Sequence, residues 1–144
     1  MIQVKKLSKE QWELMREDAH IAVFSEMPGT EQVDFALITV KEDTDELVQY
    51  VAIREYDAES IHWFYGGSFD KYRGTVLAYR SMEALIGWAR ANYKKLSYFT
   101  SNRNYPMIKF GVKHKFEITG MRLVKDGLLL EHVLDFTKHE KSEE

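Results

Sequence analysis

The chain contains no cysteine. Disulfides, thiolate nucleophiles and thiolate-bound zinc are therefore excluded. Proline is nearly as scarce, with two in 144 residues, so there is no proline-rich linker. Apolar runs such as Leu128-Leu129-Leu130 fall far below the roughly 20 residues that span a bilayer. Residues 1–25 are charged and amphipathic, without the pattern of a signal peptide, so the expected compartment is the cytoplasm. The five histidines (20, 62, 114, 132 and 139) show no metal-ligand spacing, and no metal is expected. A Walker loop, a dinucleotide glycine motif, a His-Glu-x-x-His pair and a serine elbow are all missing.

What remains has the composition of a globular domain. Hydrophobic residues make up 44% of a chain long enough for one domain with a real core. The expected division is a single domain over 1–136 and a polar tail over 137–144. The net charge of −3 hides an asymmetry. Residues 1–72 carry 7 basic and 15 acidic side chains, a net of −8, and residues 73–144 carry 13 and 8, a net of +5. Such halves fit two surfaces, one for an anionic and one for a cationic ligand; chance scatter of solvated charge is the alternative.

Ile2 to Leu7 reads as a short strand. Ser8-Lys9-Glu10-Gln11 then forms a capping box, with Leu7 and Trp12 placed as a hydrophobic staple. Trp12, Met15, Ala19, Ala22 and Val23 follow at helical spacing, and Pro28-Gly29 ends the segment. Val33 to Lys41, Glu46 to Tyr56 and Ser60 to Phe69 read as strands. The glycine pair Gly66-Gly67 marks a bulge or a close backbone approach in the third. A helix from Gly74 to Tyr93 carries the stripe Ala78, Met82, Leu85, Ile86, Ala89 and Tyr93. A strand at Leu96 to Thr100 precedes a short helix opened by Asn104-Tyr105-Pro106. The last element is a hairpin, Glu117 to Lys125 and Leu128 to Phe136, turning at Asp126-Gly127. That register sets Arg122 opposite Glu131. The order predicts a mixed α/β fold, mostly an antiparallel sheet flanked by helices.

The segment from Tyr72 to Ala78 joins a strand to a helix N-terminus. Unpaired backbone N–H groups, the helix dipole and the Arg73 charge suit a phosphate there, although a plain turn fits the same residues. With the element order, this turn and the stretch from Asn104 to Phe116 resemble the GCN5-related N-acetyltransferase (GNAT) superfamily over almost the whole chain. The family turn runs Arg/Gln-x-x-Gly-x-Gly/Ala. Arg73 and Ala78 match its ends, Gly74 its frequent second residue, and Val76 replaces the middle Gly. In the second stretch Asn104, Met107, Phe110, Lys113 and Phe116 stand at matching positions. Gly111 falls where the thiolate-protonating Tyr usually sits, and Lys115 replaces a Gly.

The resemblance implies transfer of an acetyl group from acetyl-coenzyme A (acetyl-CoA) to an amine. The cofactor contacts it implies are Ser68, Phe69, the turn residues Arg73, Gly74, Thr75, Val76, Leu77 and Ala78, and Asn104 with Phe110. Without cysteine the transfer must be direct, so the attacking amine has to lose a proton to a base or a water wire. His62, Tyr65 and Glu59 are the base candidates, His62 having the most suitable ordinary pKa. Tyr105 or Tyr98 could replace the missing acid. Strict alternation gives His62, Phe64, Gly66 and Ser68 one face and Trp63, Tyr65, Gly67 and Phe69 the other; a bulge at the glycine pair would swap the facing. Lys109, Lys113, His114 and Lys115 make a basic strip that suits a solvated face or a cofactor phosphate, and no nucleic-acid partner is expected. The replacements at 76, 111 and 115 leave open a module of the same fold that binds without transferring. An acidic interaction protein is a third reading, and a homodimer is compatible with the resemblance.

Overall fold

Ser8 caps the first helix as its sequence requires. Its Oγ accepts from the Gln11 backbone N–H at 3.2 Å, and Gln11 Oε1 accepts from the Ser8 N–H at 2.8 Å. The computed structural model describes residues 1–25, 33–125 and 127–138. Pro28-Gly29, Asp126 and the tail from 139 lie outside them. Within them run β1 (Ile2–Leu7), α1 (Lys9–Phe24), β2 (Phe35–Lys41), β3 (Leu47–Asp57) and β4 (Ser60–Ser68). After a single 3₁₀ turn at Asp70–Tyr72 come α2 (Val76–Asn92), β5 (Lys95–Ser101), α3 (Tyr105–Lys113), β6 (Glu117–Val124) and β7 (Gly127–Asp135).

The strands form one sheet in the order β1-β2-β3-β4-β5-β7-β6. Every neighbouring pair is antiparallel except β4 and β5. The mixed, mostly antiparallel sheet with flanking helices is thus the architecture the sequence predicts. β2 and β3 are the middle of the core, and Phe35–Val40 and Val48–Ile53 are buried throughout. Such continuous burial needs cover on both faces. Trp12, Ala19 and Val23 of α1 pack with Ala36, Ile38 and Tyr50 on one face. Leu85, Ile86 and Ala89 of α2 pack with Leu37, Val51 and Ile53 on the other.

Two details of the helical stripes differ from their spacing. Ala22 is exposed, and Ser81 is fully buried against the sheet, where its hydroxyl is hydrogen-bonded to that of Thr39. A polar residue was invisible to a search for an apolar stripe, yet here it is bonded and so can be buried.

The final hairpin forms in a register two residues from the expected one. Val124 pairs with Gly127 and Arg122 with Leu129, while Glu131 faces Gly120. Glu131 accepts from Thr119 Oγ1 at 2.5 Å instead of meeting Arg122. The Arg122 guanidinium reaches across β7 to the Phe99 ring, 5.2 Å from its centroid. Gly127 takes a positive φ of 138°, so the residue expected in the turn opens the strand.

Candidate active site

β4 and β5 stay together for only four residue pairs, from Ser60 with Lys95 to Trp63 with Tyr98. Beyond Trp63 they part. Two features turn β4 away. One is a bulge: Ile53 pairs with Trp63 and Ala52 with Tyr65, which leaves Phe64 as the extra residue. The other is Gly66. A Cβ there would strike the Tyr50 carbonyl oxygen and lie 2.7 Å from Val51 Cα, so only glycine lets β4 press this closely on β3. The bulge therefore falls at Phe64, and the glycine pair supplies the close approach.

The bulge resets the facing. Trp63 packs in the α2-side core, whereas Phe64 and Tyr65 both pack with the α1-side cluster. A cavity of about 350 Å³ occupies the opened slot. Its α2-side wall includes Gln49, Trp63, Met82, Tyr98 and Met107, and its α1-side wall includes Tyr50, Phe64 and Tyr65. The slot is accordingly lined from both faces of the sheet. Among the described residues no Asp or Glu lines it.

A second cavity, about 460 Å³, lies between the start of α2 and α3. It shares Ser68, Met82 and Met107 with the first, so the two form one lane. Its outer walls are Gly74, Thr75 and Ala78 on one side and Lys109, Phe110 and Lys113 on the other. Thr75 caps α2, its Oγ1 accepting from the Ala78 N–H at 3.2 Å. Gly74 holds φ at 76°, a left-handed turn that favours glycine. The Lys113 ammonium stands 4.9 Å from the Tyr79 ring centroid, and the Tyr79 hydroxyl beside it raises its pKa. A helix N-terminus facing two lysines makes this end of the lane attractive to anions.

Of the residues expected to hold a cofactor, Ser68, Gly74, Thr75, Ala78, Asn104 and Phe110 line the lane. Asn104 also caps α3, accepting from the Met107 N–H at 3.4 Å. Val76 is exposed, and neither it nor Leu77 lines the lane. Phe69 packs on Tyr50 at 6.2 Å, away from both cavities. Arg73 is turned toward α1. It donates to the Val23 carbonyl oxygen at 2.5 Å and pairs with Asp70 at 3.1 Å, holding the turn to the helix.

The catalytic candidates divide in the same way. Tyr65 lines the slot, and Tyr105 is exposed at the start of α3 outside both cavities. His62 is buried and lines neither. Its Nδ1 is 2.8 Å from Ser97 Oγ, and Tyr56 and Phe99 cover its ring at 5.3 and 5.1 Å. Burial, aided by the Arg54 charge, pushes its pKa down to about 4. The ordinary imidazole pKa that recommended it is thus lost.

Two positions escaped the sequence, His20 and Gln49, and Tyr98, expected as a substitute acid, lines the slot. His20 of α1 reaches the slot through Tyr50, with 3.3 Å between its Nδ1 and the phenolic oxygen, and its ring lies 5.5 Å from Tyr65. Gln49 is a buried polar residue among apolar neighbours, a signal available in the sequence but unused. Tyr98 fills the space beside Gly111. Its hydroxyl donates to the Met107 carbonyl at 3.0 Å, and burial raises its pKa. A Cβ at 111 would collide with that hydroxyl and lie 2.9 Å from His132 Cδ2.

No protein-family model and no curated protein sequence matches the chain. Solved structures do match its fold. The ribosomal-protein-S18-alanine N-acetyltransferase of Escherichia coli superposes with a TM-score of 0.73 at 11% identity, over 94% of each chain. A spermidine/spermine N-acetyltransferase from Vibrio cholerae gives 0.73 at 11% identity, over 99% of this chain and 97% of that one. A GNAT family acetyltransferase from Elizabethkingia anophelis, solved with acetyl-CoA bound, gives 0.64 at 14% identity, over 93% and 97%. The architecture is therefore that of GNAT acetyltransferases.

Proposed function

We propose that the protein is an N-acetyltransferase that moves an acetyl group from acetyl-CoA directly to an amine. The observation that carries this is the continuous lane from the cationic α2–α3 end to the slot in the sheet. Its residues suit the parts of acetyl-CoA in order. Lys109, Lys113 and the start of α2 suit the phosphates. The freed edge of β4 at Ser68 suits the amide-bearing arm, and the slot beside Trp63 and Tyr98 suits the thioester. When bound, acetyl-CoA supplies an acyl carbon activated by its sulfur.

The acceptor enters from the α1 side, past Phe64 and Tyr65. Its nitrogen attacks the thioester carbon, the C–N bond forms and the C–S bond breaks. One proton leaves the nitrogen and one reaches the departing thiolate, so amide and thiol are the products. The Tyr50 hydroxyl, hydrogen-bonded to His20, carries the first proton to His20 as terminal base, and Tyr65 packs edge-on against both rings. The thiolate takes its proton from water or from Tyr98.

A binding module without turnover is favoured by one observation, the engagement of the Tyr98 hydroxyl by Met107 in place of a free acid. Two measurements decide. Acetyl-CoA at saturating concentration should raise the melting temperature. Coenzyme A should then be released in the presence of some amine in a panel of peptides, polyamines and amino acids. Absence of a thermal shift removes both readings; a shift without release supports the binding module.

A further inference from the structure

Two buried polar atoms in the slot lack a partner. Trp63 and Gln49 both line the first cavity and are each 7% exposed. Neither Trp63 Nε1 nor Gln49 Oε1 has a hydrogen-bond partner among the described residues. Unpaired buried polar atoms are costly, and a ligand that pairs them removes the cost. Their chemistry is complementary. An indole Nε1 only donates, and an amide Oε1 only accepts.

Their positions add a length. Trp63 stands at the last position where β4 pairs with β5, and Gln49 of β3 pairs with Ser68, five residues further along β4. At a strand's rise they lie roughly 15 Å apart. A ligand satisfying both is extended, with a carbonyl oxygen at its inner end and an N–H nearer its outer end. An acyl thioester on an amide-bearing arm has this form.

The geometry points to Trp63 as a catalytic residue: its indole N–H donates to the thioester carbonyl oxygen and stabilises the charge that oxygen gains as the amine adds. Gln49 Oε1 accepts from an amide N–H of the arm and contributes to binding alone. This inference rests on the acetyltransferase reading. Trp12 Nε1 is also unpaired but sits in the α1-side cluster and lines neither cavity, so it serves as an internal control.

The test uses the full ¹⁵N-labelled chain, whose three tryptophans give three indole N–H resonances, assigned by single Trp→Phe substitutions. Acetyl-CoA and coenzyme A are titrated separately. The Trp63 resonance should move downfield with acetyl-CoA and much less with coenzyme A, while that of Trp12 stays in place. Trp63→Phe should lower kcat about 100-fold with little change in the KM for acetyl-CoA. Gln49→Met should weaken both nucleotides alike, by about tenfold. Equal movement with both nucleotides, or a Trp63→Phe variant with wild-type kcat, overturns the inference. Acetyl-CoA that raises the melting temperature without moving the Trp63 resonance overturns this inference alone. Acetyl-CoA that does neither overturns the acetyltransferase reading beneath it.

Discussion

Replacing Gly111 with Ala probes the contact between α3 and β5. Alanine favours a helix over glycine by up to about 1 kcal/mol, so intrinsic propensity predicts a more stable protein. The packing predicts the reverse. The added Cβ meets the Tyr98 hydroxyl, and that side chain has little freedom to retreat. It is stacked on His132 at 4.6 Å, on Trp63 at 6.2 Å, and edge-on to Phe116 at 5.0 Å. Overpacking of this kind costs about 1–3 kcal/mol, and displacing the hydroxyl also loses its bond to Met107, worth about 1 kcal/mol. The expected net loss is about 1–3 kcal/mol. Tyr98→Phe alone should cost about 1 kcal/mol, since it removes only that bond. In the double variant the hydroxyl is gone, Tyr98 Cζ lies 3.5 Å from the new Cβ, and only His132 Cδ2 at 2.9 Å remains tight. Its loss should fall short of the sum of the single losses by about 1 kcal/mol or more, the mark of coupled neighbours. Urea denaturation of the four proteins measures this. A stabilised Gly111→Ala variant, or losses that simply add, would falsify the account.

Three further outcomes follow from features already described. His62 has its pKa lowered to about 4 in the folded protein, against about 6.5 when unfolded. The unfolded chain therefore takes up this proton first, and stability falls as pH drops from about 6.5 towards 4, by up to about 1.4 kcal/mol per unit. His62→Gln should flatten that part of a stability profile measured by urea unfolding between pH 7 and 4; an unchanged slope counts against it. Lys115 follows the C-cap of α3 with φ at 70°, so Lys115→Gly should relieve strain and stabilise by up to about 1 kcal/mol in thermal unfolding. A destabilised variant would show that other contacts of Lys115 outweigh its backbone strain. Lys109→Gln with Lys113→Gln should weaken acetyl-CoA binding at least tenfold in calorimetry and reduce its salt dependence, with melting temperature of the free protein nearly unchanged. Affinity equal to wild type would remove the lysines from the phosphate end.

The element order was legible because each element carries local punctuation. Ser8 with Gln11, and Asn104, all act within a few residues of themselves. What depends on contact between distant segments was not legible. The bulge at Phe64 exists relative to Ala52 and Ile53 of another strand. The hairpin register turns on whether Gly127 lies in the turn or in the strand, and both choices satisfy the local pattern. Arg73 sits where the phosphate turn expects it, but its guanidinium donates to the Val23 carbonyl fifty residues earlier and pairs with Asp70. His62 lost its ordinary pKa to neighbours from two other strands, β3 and β5. Of the candidate site, the turn and α3 were found by their motifs. Gln49 and His20 join it only because the fold brings them there.

The four-pair junction of β4 with β5 has a consequence for how the sheet is assembled. Antiparallel pairing builds one half from β1 to β4 and the other from β5 to β7. The junction between the halves is the parallel pair, and α2 intervenes along the chain. That parallel pair is the weld between the two halves. The weld is left incomplete, because its ladder stops at Trp63 and Tyr98. An extended ligand in the slot would take the place of the absent rungs, and binding would then finish a sheet that the chain alone leaves open.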